Sequence, residues 1–158
     1  MPGYGIAGPG EGTGLLPWSW AEQRLASSHD YWVATVSPDG RPHVMPVWGV
    51  WDGSSLWFSS SPGSRKARNL DRDGRASVAT DNPREPVVVE GSVTRVREEA
   101  GNLMFAGLLN AKYDTDYSID FFLSNASFLL RPARAFGLIQ EDFAGSPTRW
   151  EFGEPDGP

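Results

Sequence analysis

The chain has 158 residues, of which 39% are hydrophobic and 22% are charged, as expected for one soluble globular domain. The lack of cysteine excludes disulfides and thiolate metal sites, and two histidines argue against a histidine-rich metal centre. A formal net charge of −6 argues against general nucleic-acid binding. No apolar run is long enough to span a membrane and no signal-peptide pattern is present, so we predict a cytoplasmic protein.

The two ends of the chain differ in composition from its middle. Residues 1–14 are rich in Gly and Pro without a periodic pattern, which predicts a disordered tail. Residues 15–153 contain every predicted helix and strand, so we predict a single domain there and a frayed C-terminus over 154–158. The domain opens with a predicted helix over 15–29, in which Ser19 and Glu22 have capping-box spacing. We interpret His29 as a capping residue at its C-terminal end.

Three predicted strands on short turns follow this helix. They cover 31–37, 42–51 and 55–60, and the first two are joined by a Pro-Asp-Gly turn. Such a meander is typical of the start of a small barrel or sandwich. Pro46 stands inside the second strand and cannot donate a ladder hydrogen bond. It therefore indicates either an edge or bulge of the sheet or a place where a planar ligand approaches the backbone.

A serine-rich turn links the third strand to a basic helix. Ser64 stands where a helix N-cap is expected, and Arg65, Lys66 and Arg68 follow in the first turns. Cations at a helix N-terminus oppose the helix dipole, a conflict that a bound phosphate would remove. The preceding serine hydroxyls would add hydrogen bonds to such an anion. The alternative is a solvated basic helix that only closes a hairpin.

The rest of the chain completes a mainly β fold with α-helices. Gly91 lies within a long predicted strand and indicates a bulge or a barrel corner. We predict six or seven mostly antiparallel strands and about three helices, arranged as a closed or split barrel. These further elements are strands at 75–80 and 86–96, helices at 98–112 and 119–123, a bent strand over 128–131 and 135–140, and a strand at 148–152.

Four motifs occur in a fixed order along residues 16–152, and their order resembles that of a known family. The sequence is similar to the split-barrel flavoproteins of the pyridoxamine 5′-phosphate oxidase type, in particular the flavin- and deazaflavin-dependent oxidoreductases common in actinobacteria. The resemblance implies an FMN-binding split β-barrel with about three peripheral helices. The motifs are the run Tyr31–Trp48, then Phe58-Ser59-Ser60, then Ser64–Leu70, and then Val89-Glu90-Gly91.

The resemblance also implies a cofactor, coenzyme F420 or alternatively FMN. The second strand would lie under the ring and bond its polar edge through the backbone, while the serines and the basic pair would hold the ribityl chain and phosphate. We favour F420 because Pro86 stands where flavin-binding members often have Gln, and because a basic track could continue through Arg68, Arg72 and Arg75. The alternative is that these arginines are solvated charges offset by Asp71 and Asp73. The implied cofactor-binding residues are Val44, Met45, Pro46, Val47, Trp48, Ser59, Ser60, Ser64, Arg65, Lys66, Arg68, Asn69 and Trp150.

The activity implied is hydride transfer between F420 or a flavin and a small unsaturated or planar organic substrate. Trp48, Trp51 and Tyr117 are candidates for the substrate side. Family members are usually homodimers, so Arg149 and Trp150 are expected to reach the partner's cofactor. The alternatives are an FMN-dependent oxidase or reductase of the pyridoxamine phosphate oxidase type and a non-catalytic flavin- or haem-binding protein. The substrate-binding motif of true pyridoxamine phosphate oxidases is not recognisable, so vitamin B6 oxidation is not implied.

Overall fold

The computed structural model describes residues 5–8 and 10–153. Its elements follow one another in the order expected from the sequence, with four α-helices and seven strands in the described part. A short 3-10 helix, Gln140–Asp142, precedes the last strand. In chain order the others are α1 Trp18–Ser27, β1 Asp30–Val36, β2 Pro42–Trp51, β3 Leu56–Ser60, α2 Arg65–Arg72, β4 Arg75–Thr80, β5 Val87–Val96, α3 Glu99–Tyr113, α4 Ile119–Ser124, β6 Ala126–Gly137 and β7 Thr148–Glu151.

The strands form one antiparallel sheet that closes into a barrel. Its order is β3-β2-β1-β4-β5-β6-β7, and a further pairing of β3 with β6 joins the two ends of the first six strands. β7 adds to the outside of this closed set by pairing with β6. The predicted fold class, a mainly β barrel of six or seven strands with a few helices, is confirmed.

The interior of the barrel is filled by alternate side chains of each strand. In β1, Tyr31, Val33 and Thr35 are buried, whereas Trp32 and Val36 lie on the outer face. A second apolar cluster lies where α3 and α4 pack on the barrel, and it includes Phe105 and Phe122 with Trp57 of β3. The outer face of β1 is left without such a cover by the described helices, since its apolar side chains remain exposed.

The barrel opens where β2 and β3 part. β2 pairs with β1 over 42–48, but it pairs with β3 only over 49–51. Beyond Phe58, the residues of β3 pair with β6 alone. We call the space between the 42–48 edge of β2 and the end of β3 the β2–β3 gap. Pro46 lies on this open edge in regular register opposite Trp32, so it marks an edge rather than a bulge.

The basic helix α2 begins at the end of the turn that follows β3. Ser64 is its N-cap, as predicted, and the Ser64 hydroxyl accepts a hydrogen bond from the Ala67 backbone N–H at 3.0 Å. Ala67 and Leu70 are buried against the sheet. Asn69 is also buried, and its amide donates to the Thr35 hydroxyl of β1 at 3.0 Å. This bond fixes the rotation of α2 relative to β1.

Two predictions about α1 are wrong. The helix begins at Trp18 after Pro17, and no side chain caps it, so Ser19 and Glu22 do not form a capping box. The fixed φ of proline suits the start of a helix, which explains why Pro17 takes this position. The C-cap is Ser28, and His29 lies beyond it with its Nδ1 2.8 Å from the Asp30 carboxylate.

The last long strand also differs from its prediction. β6 is continuous through Pro132 but ends at Gly137, because the Ile139 N–H turns to the Ser146 hydroxyl at 2.8 Å. The bulge expected at Gly91 is confirmed by a register shift between Glu90 and Gly91. A Cβ at Gly91 would clash with the Arg131 carbonyl, so only glycine allows this close approach.

The described residues before α1 contact the barrel. Gly14 donates to the Gly145 carbonyl at 3.1 Å, and Leu16 donates to the Thr148 hydroxyl at 2.9 Å. Of the tail predicted over 1–14, positions 1–4 and 9 lie outside the described residues, as does the predicted frayed end at 154–158. Within the described part, none of the helices combines the length and apolar character needed to cross a membrane.

Candidate cofactor site in the β2–β3 gap

The edge of β2 that lines the gap presents apolar side chains to solvent. Val44 and Met45 are each 49% exposed, and Trp48 is 39% exposed. Val47, by contrast, points inwards and is buried opposite Tyr31. Val47 can therefore contribute only its backbone groups to a ligand in the gap, and the exposed side chains of the strand supply an apolar wall.

The opposite side of the gap carries hydroxyl groups. The Ser60 and Ser64 hydroxyls lie 2.9 Å apart, which links the end of β3 to the first turn of α2. Ser59 is half-buried and pairs with Ser127 of β6. The Ser127 hydroxyl is buried and has no hydrogen-bond partner among the described residues. By strand alternation Ser59 and Ser127 lie on the face of the barrel that packs against α3 and α4, whereas the Ser60 and Ser64 hydroxyls lie beside the N-terminus of α2.

Lys66 is the most unusual side chain of this region. It is only 6% exposed, although lysine is almost never buried without a partner. Within the described part of the chain, no carboxylate or hydrogen-bond acceptor is paired with its ammonium group. Burial lowers the pKa of Lys66 below its ordinary value. A buried cation without a protein partner is what a binding site for an anion requires.

His43, Thr35 and Asn69 form the third side of the same region. His43 stands opposite Thr35 in the β1–β2 register, and Thr35 is bound by Asn69 of α2. The His43 Nδ1 atom is buried without a hydrogen-bond partner in the described structure. Partial burial and the charges of Arg65 and Lys66 lower the pKa of His43. His43 was not among the site residues predicted from the sequence, although strand alternation places it on the same face as Met45 and Val47.

The remaining basic residues do not continue as a free track. Arg68 is exposed and its guanidinium donates to the Gly63 carbonyl. Arg72 donates to the Val36 carbonyl at 3.0 Å, and Arg75 pairs with Asp73 at 2.7 Å. The charge of Arg75 is therefore already balanced by a neighbouring carboxylate. Arg65 and Lys66 remain as the cations beside the serine hydroxyls, with Arg68 on the adjoining surface.

Two residues assigned by sequence lie in a separate aromatic cluster. The Trp18 ring packs edge-on against Trp150 at 5.5 Å and against Trp51 at 6.1 Å, between ring centroids. Trp51 is buried there, in the core and not on the open edge of β2. Tyr117, the third substrate-side candidate with Trp48, is exposed and stacks on Phe121. The role of Trp150 towards a partner's cofactor stays a prediction.

A second polar cluster lies at the other end of β2. Lys112 donates to the Tyr31 hydroxyl at 2.8 Å and to the Gly49 carbonyl at 2.9 Å. The Tyr113 hydroxyl accepts from the Gly49 N–H at 2.9 Å and donates to the His29 carbonyl at 2.6 Å. The sequence analysis missed both side chains, because they lie at the end of α3, far along the chain from β1 and β2.

Tyr113 also orients the side chain at the edge of the gap. Its ring stacks on Trp48 with 4.4 Å between centroids and 4° between planes. A Cβ at Gly49 would lie 2.8 Å from the Trp57 carbonyl, so glycine allows β2 and β3 to come close immediately before they part. Trp48 is therefore held as a rigid aromatic wall at the end of the gap where β2 and β3 begin to pair.

Known proteins share this arrangement of strands and helices. A family model described as pyridoxamine 5′-phosphate oxidase matches residues 21–136. A solved F420 reductase is 28% identical over 72% of this chain and 94% of its own, with a TM-score of 0.60. No curated protein sequence matches the chain.

Two further solved structures share the fold at lower identity. A conserved hypothetical protein from Mycobacterium tuberculosis is 22% identical, covers 90% of this chain and 91% of its own, and has a TM-score of 0.68. A heme binding protein from Mycobacterium smegmatis is 23% identical over 84% of this chain and 62% of its own, with a TM-score of 0.57. The family match covers more than half of the sequence and agrees with the closed six-stranded barrel: the chain belongs to the pyridoxamine 5′-phosphate oxidase family.

Proposed function

We propose that this protein is an oxidoreductase that binds coenzyme F420, or alternatively FMN, in the β2–β3 gap. The phosphate group would lie at the N-terminus of α2, against Lys66, Arg65 and the Ser60 and Ser64 hydroxyls. The ring would lie along the open edge of β2 from Val44 to Trp48. When bound, such a cofactor supplies hydride transfer to or from a small unsaturated or planar organic substrate.

The observation that carries this proposal is the burial of Lys66 without a partner among the described residues. Its burial is unfavourable in the free protein, and a phosphate oxygen would compensate it with a charge-assisted hydrogen bond. The surrounding groups suit the same ligand, because the helix N-terminus and the Ser64 hydroxyl also favour an anion. The apolar and aromatic edge of β2 suits a planar ring at the other end of the ligand.

Support for F420 over FMN comes from the F420 reductase that the chain resembles at 28% identity. The basic track gives less support than its sequence suggested, since Arg75 is paired with Asp73. Pro86 precedes β5 and offers no side-chain hydrogen bond to a flavin ring. FMN therefore remains the second candidate, because one phosphate needs only the Arg65–Lys66 end of the site.

We propose further that the protein is a homodimer with the cofactor at the subunit interface. The outer face of β1 and β2 is apolar, with Trp32 opposite Pro46 and Val36 opposite Pro42 in the register. Trp32 is 47% exposed, and this face adjoins the open edge of β2. A second copy would bury the exposed face and cover the gap from outside. Light scattering of the purified protein would measure the mass, and a monomer at micromolar concentration would contradict this assembly.

The experiment for the cofactor is a titration of intrinsic tryptophan fluorescence with F420 and FMN in parallel. Trp48 lies at the gap, so a bound ring is expected to quench part of the emission. Tight binding of F420 alone supports the deazaflavin assignment, and tight binding of FMN alone supports the flavin. Binding of neither contradicts both, and haem would then be titrated in the same way. Turnover with reduced cofactor and a panel of acceptors separates an enzyme from a binding protein.

The double variant R65A/K66A tests the phosphate assignment. Charge-assisted bonds to a phosphate contribute about 1.5–3 kcal/mol each, so the affinity is expected to fall strongly. The variant Arg95→Ala removes a cation that is paired with Asp71 at 2.9 Å, and it serves as a charge control. The phosphate assignment is wrong if R65A/K66A binds the cofactor as tightly as the unchanged protein does.

A further inference from the structure

The side chain that the proposed cofactor site does not yet explain is His43. Its residue lies on β2, on the same face as Met45 and Val47, and its Nδ1 atom is buried without a partner in the described structure. An unsatisfied buried polar atom is costly, and native structures keep few of them. Because this atom lies beside the gap, a molecule bound there could supply the missing hydrogen bond.

Two elements, β1 and α2, pack on this end of β2 and supply the groups around His43. β1 presents the uncharged Thr35, which is occupied by Asn69 of α2. α2 presents Arg65 and Lys66, whose charges act on the His43 ring. No carboxylate among the described residues acts on the ring. The turn before β2 carries Asp39 and Arg41, which pair with each other at 3.3 Å in an exposed position.

This environment favours the neutral imidazole of His43 in the free protein and the protonated imidazolium when an anion is bound. In the free protein, partial burial and two cations oppose a charge on His43 and lower its pKa. A phosphate placed between Lys66 and the ring would neutralise that repulsion and accept a hydrogen bond from the imidazolium. The two cations that lower the charge of His43 in the free protein are thus the ones that a phosphate would cancel.

We infer that His43 is a ligand of the cofactor phosphate and takes up a proton from solvent when that phosphate binds. The inference rests on the proposed function and extends it, because it couples cofactor binding to pH. No covalent bond changes, and the one proton added to the imidazole comes from water or buffer. Because the bound state holds more protons, the affinity increases as the pH falls through the range between the free and bound titrations of His43.

The test is an NMR titration of the imidazole nitrogens without and with saturating F420, and again with FMN. The chain has two histidines, so the variant His29→Gln leaves His43 as the single signal and assigns the spectrum. His29 pairs with Asp30 at the surface and lies edge-on to Trp48, with 6.0 Å between ring centroids, at the end of the gap away from α2. The expected result is a His43 midpoint below that of a free histidine, which rises by about one pH unit or more on binding.

A calorimetric titration in buffers of different ionisation enthalpy provides the second measurement. The unchanged protein is expected to take up protons on binding F420, whose phosphodiester has no titration near neutral pH, and His43→Gln is expected to abolish the uptake. A purely structural role for His43 would lower the affinity without changing the proton count. Binding with an unchanged His43 midpoint overturns this inference and leaves the cofactor site standing. A failure of both cofactors to bind overturns the proposed function together with it.

Discussion

The two lysines of the chain are held in opposite ways. Lys112, at the end of α3, donates to the Tyr31 hydroxyl and the Gly49 carbonyl, and its ammonium lies 4.6 Å from the Tyr31 ring centroid. Lys66, at the start of α2, is buried and has no such partner among the described residues. Burial lowers the pKa of both side chains, to about 8 for Lys112. The cost of burying an ammonium group is therefore offset by hydrogen bonds within the fold at Lys112, and it is not offset by the described residues at Lys66.

This difference separates a structural role from a binding role. The partners of Lys112 join α3 to β1 and β2, so its hydrogen bonds contribute to the stability of the barrel. The surroundings of Lys66 offer other cations and hydroxyl groups, which favour an anion from outside the chain. Replacing each lysine with methionine, which keeps most of the apolar stem, tests the two roles with one type of substitution.

The largest effect is expected for Lys66→Met on cofactor affinity. Loss of one charge-assisted phosphate contact corresponds to about 1.5–3 kcal/mol, or about a 10- to 150-fold rise in Kd. The free energy of unfolding in urea is expected to stay unchanged or to increase, since the substitution removes a desolvated charge. Fluorescence titration and urea unfolding of the same preparation give both values. A clear loss of stability with normal affinity would reverse the assignment.

The converse result is expected for Lys112→Met. The Tyr31 hydroxyl loses a donor in a buried position, and an unmade bond of this kind costs about 1–3 kcal/mol. The free energy of unfolding is expected to fall by that amount in urea, while affinity for inorganic phosphate stays within about twofold. Equal stability of Lys112→Met and the unchanged protein would show that the cluster contributes nothing to the fold.

The pH dependence of stability sharpens the same contrast. The pKa of Lys112 is lowered from 10.5 to about 8, so above about pH 8 the unfolded chain binds more protons than the native state. Stability is therefore expected to rise from about pH 8 towards pH 10, by at most about 1.4 kcal/mol per pH unit for one proton. Lys66 acts in the same direction.

Above about pH 10 the sign is expected to reverse. Burial raises the pKa of Tyr113 to about 12 and raises that of Tyr31 further, so the native state then holds protons that the unfolded chain has lost. Urea unfolding at a series of pH values measures the whole curve. Lys112→Met is expected to flatten the increase in the free energy of unfolding between about pH 8 and 10 and to leave the decrease above about pH 10. If the increase is unchanged in this variant, groups other than Lys112 cause it.

A smaller effect is expected for Ser64→Ala. The substitution removes the N-cap bond to the Ala67 N–H and the contact with the Ser60 hydroxyl, which costs about 1 kcal/mol of stability. The affinity for the cofactor should also weaken, because the start of α2 is no longer fixed. Ser61→Ala, on the exposed turn beside it, is the matched control. Identical unfolding curves for the two variants would contradict the capping role.

Much of the barrel could be predicted because local sequence signals agreed with the fold. The Pro38-Asp39-Gly40 turn, the bulge at Gly91 and the N-cap at Ser64 each depend on the backbone requirements of one or two residues. The start of α1 could not be predicted in the same way, because both Pro17 and Ser19 are good helix-start residues.

The candidate site also combines features that follow from local sequence with features that follow only from the tertiary structure. The sequence by itself determined the strand–turn–helix segment from Ser59 to Asn69 and its local excess of positive charge, because these depend on neighbouring residues. Only the tertiary structure decided that Lys66 is buried without a partner in the described part of the chain, that His43 joins it from another strand, and that Lys112 is hydrogen-bonded. Burial and hydrogen bonding depend on residues distant in the chain, and no local pattern records which of these the fold brings together.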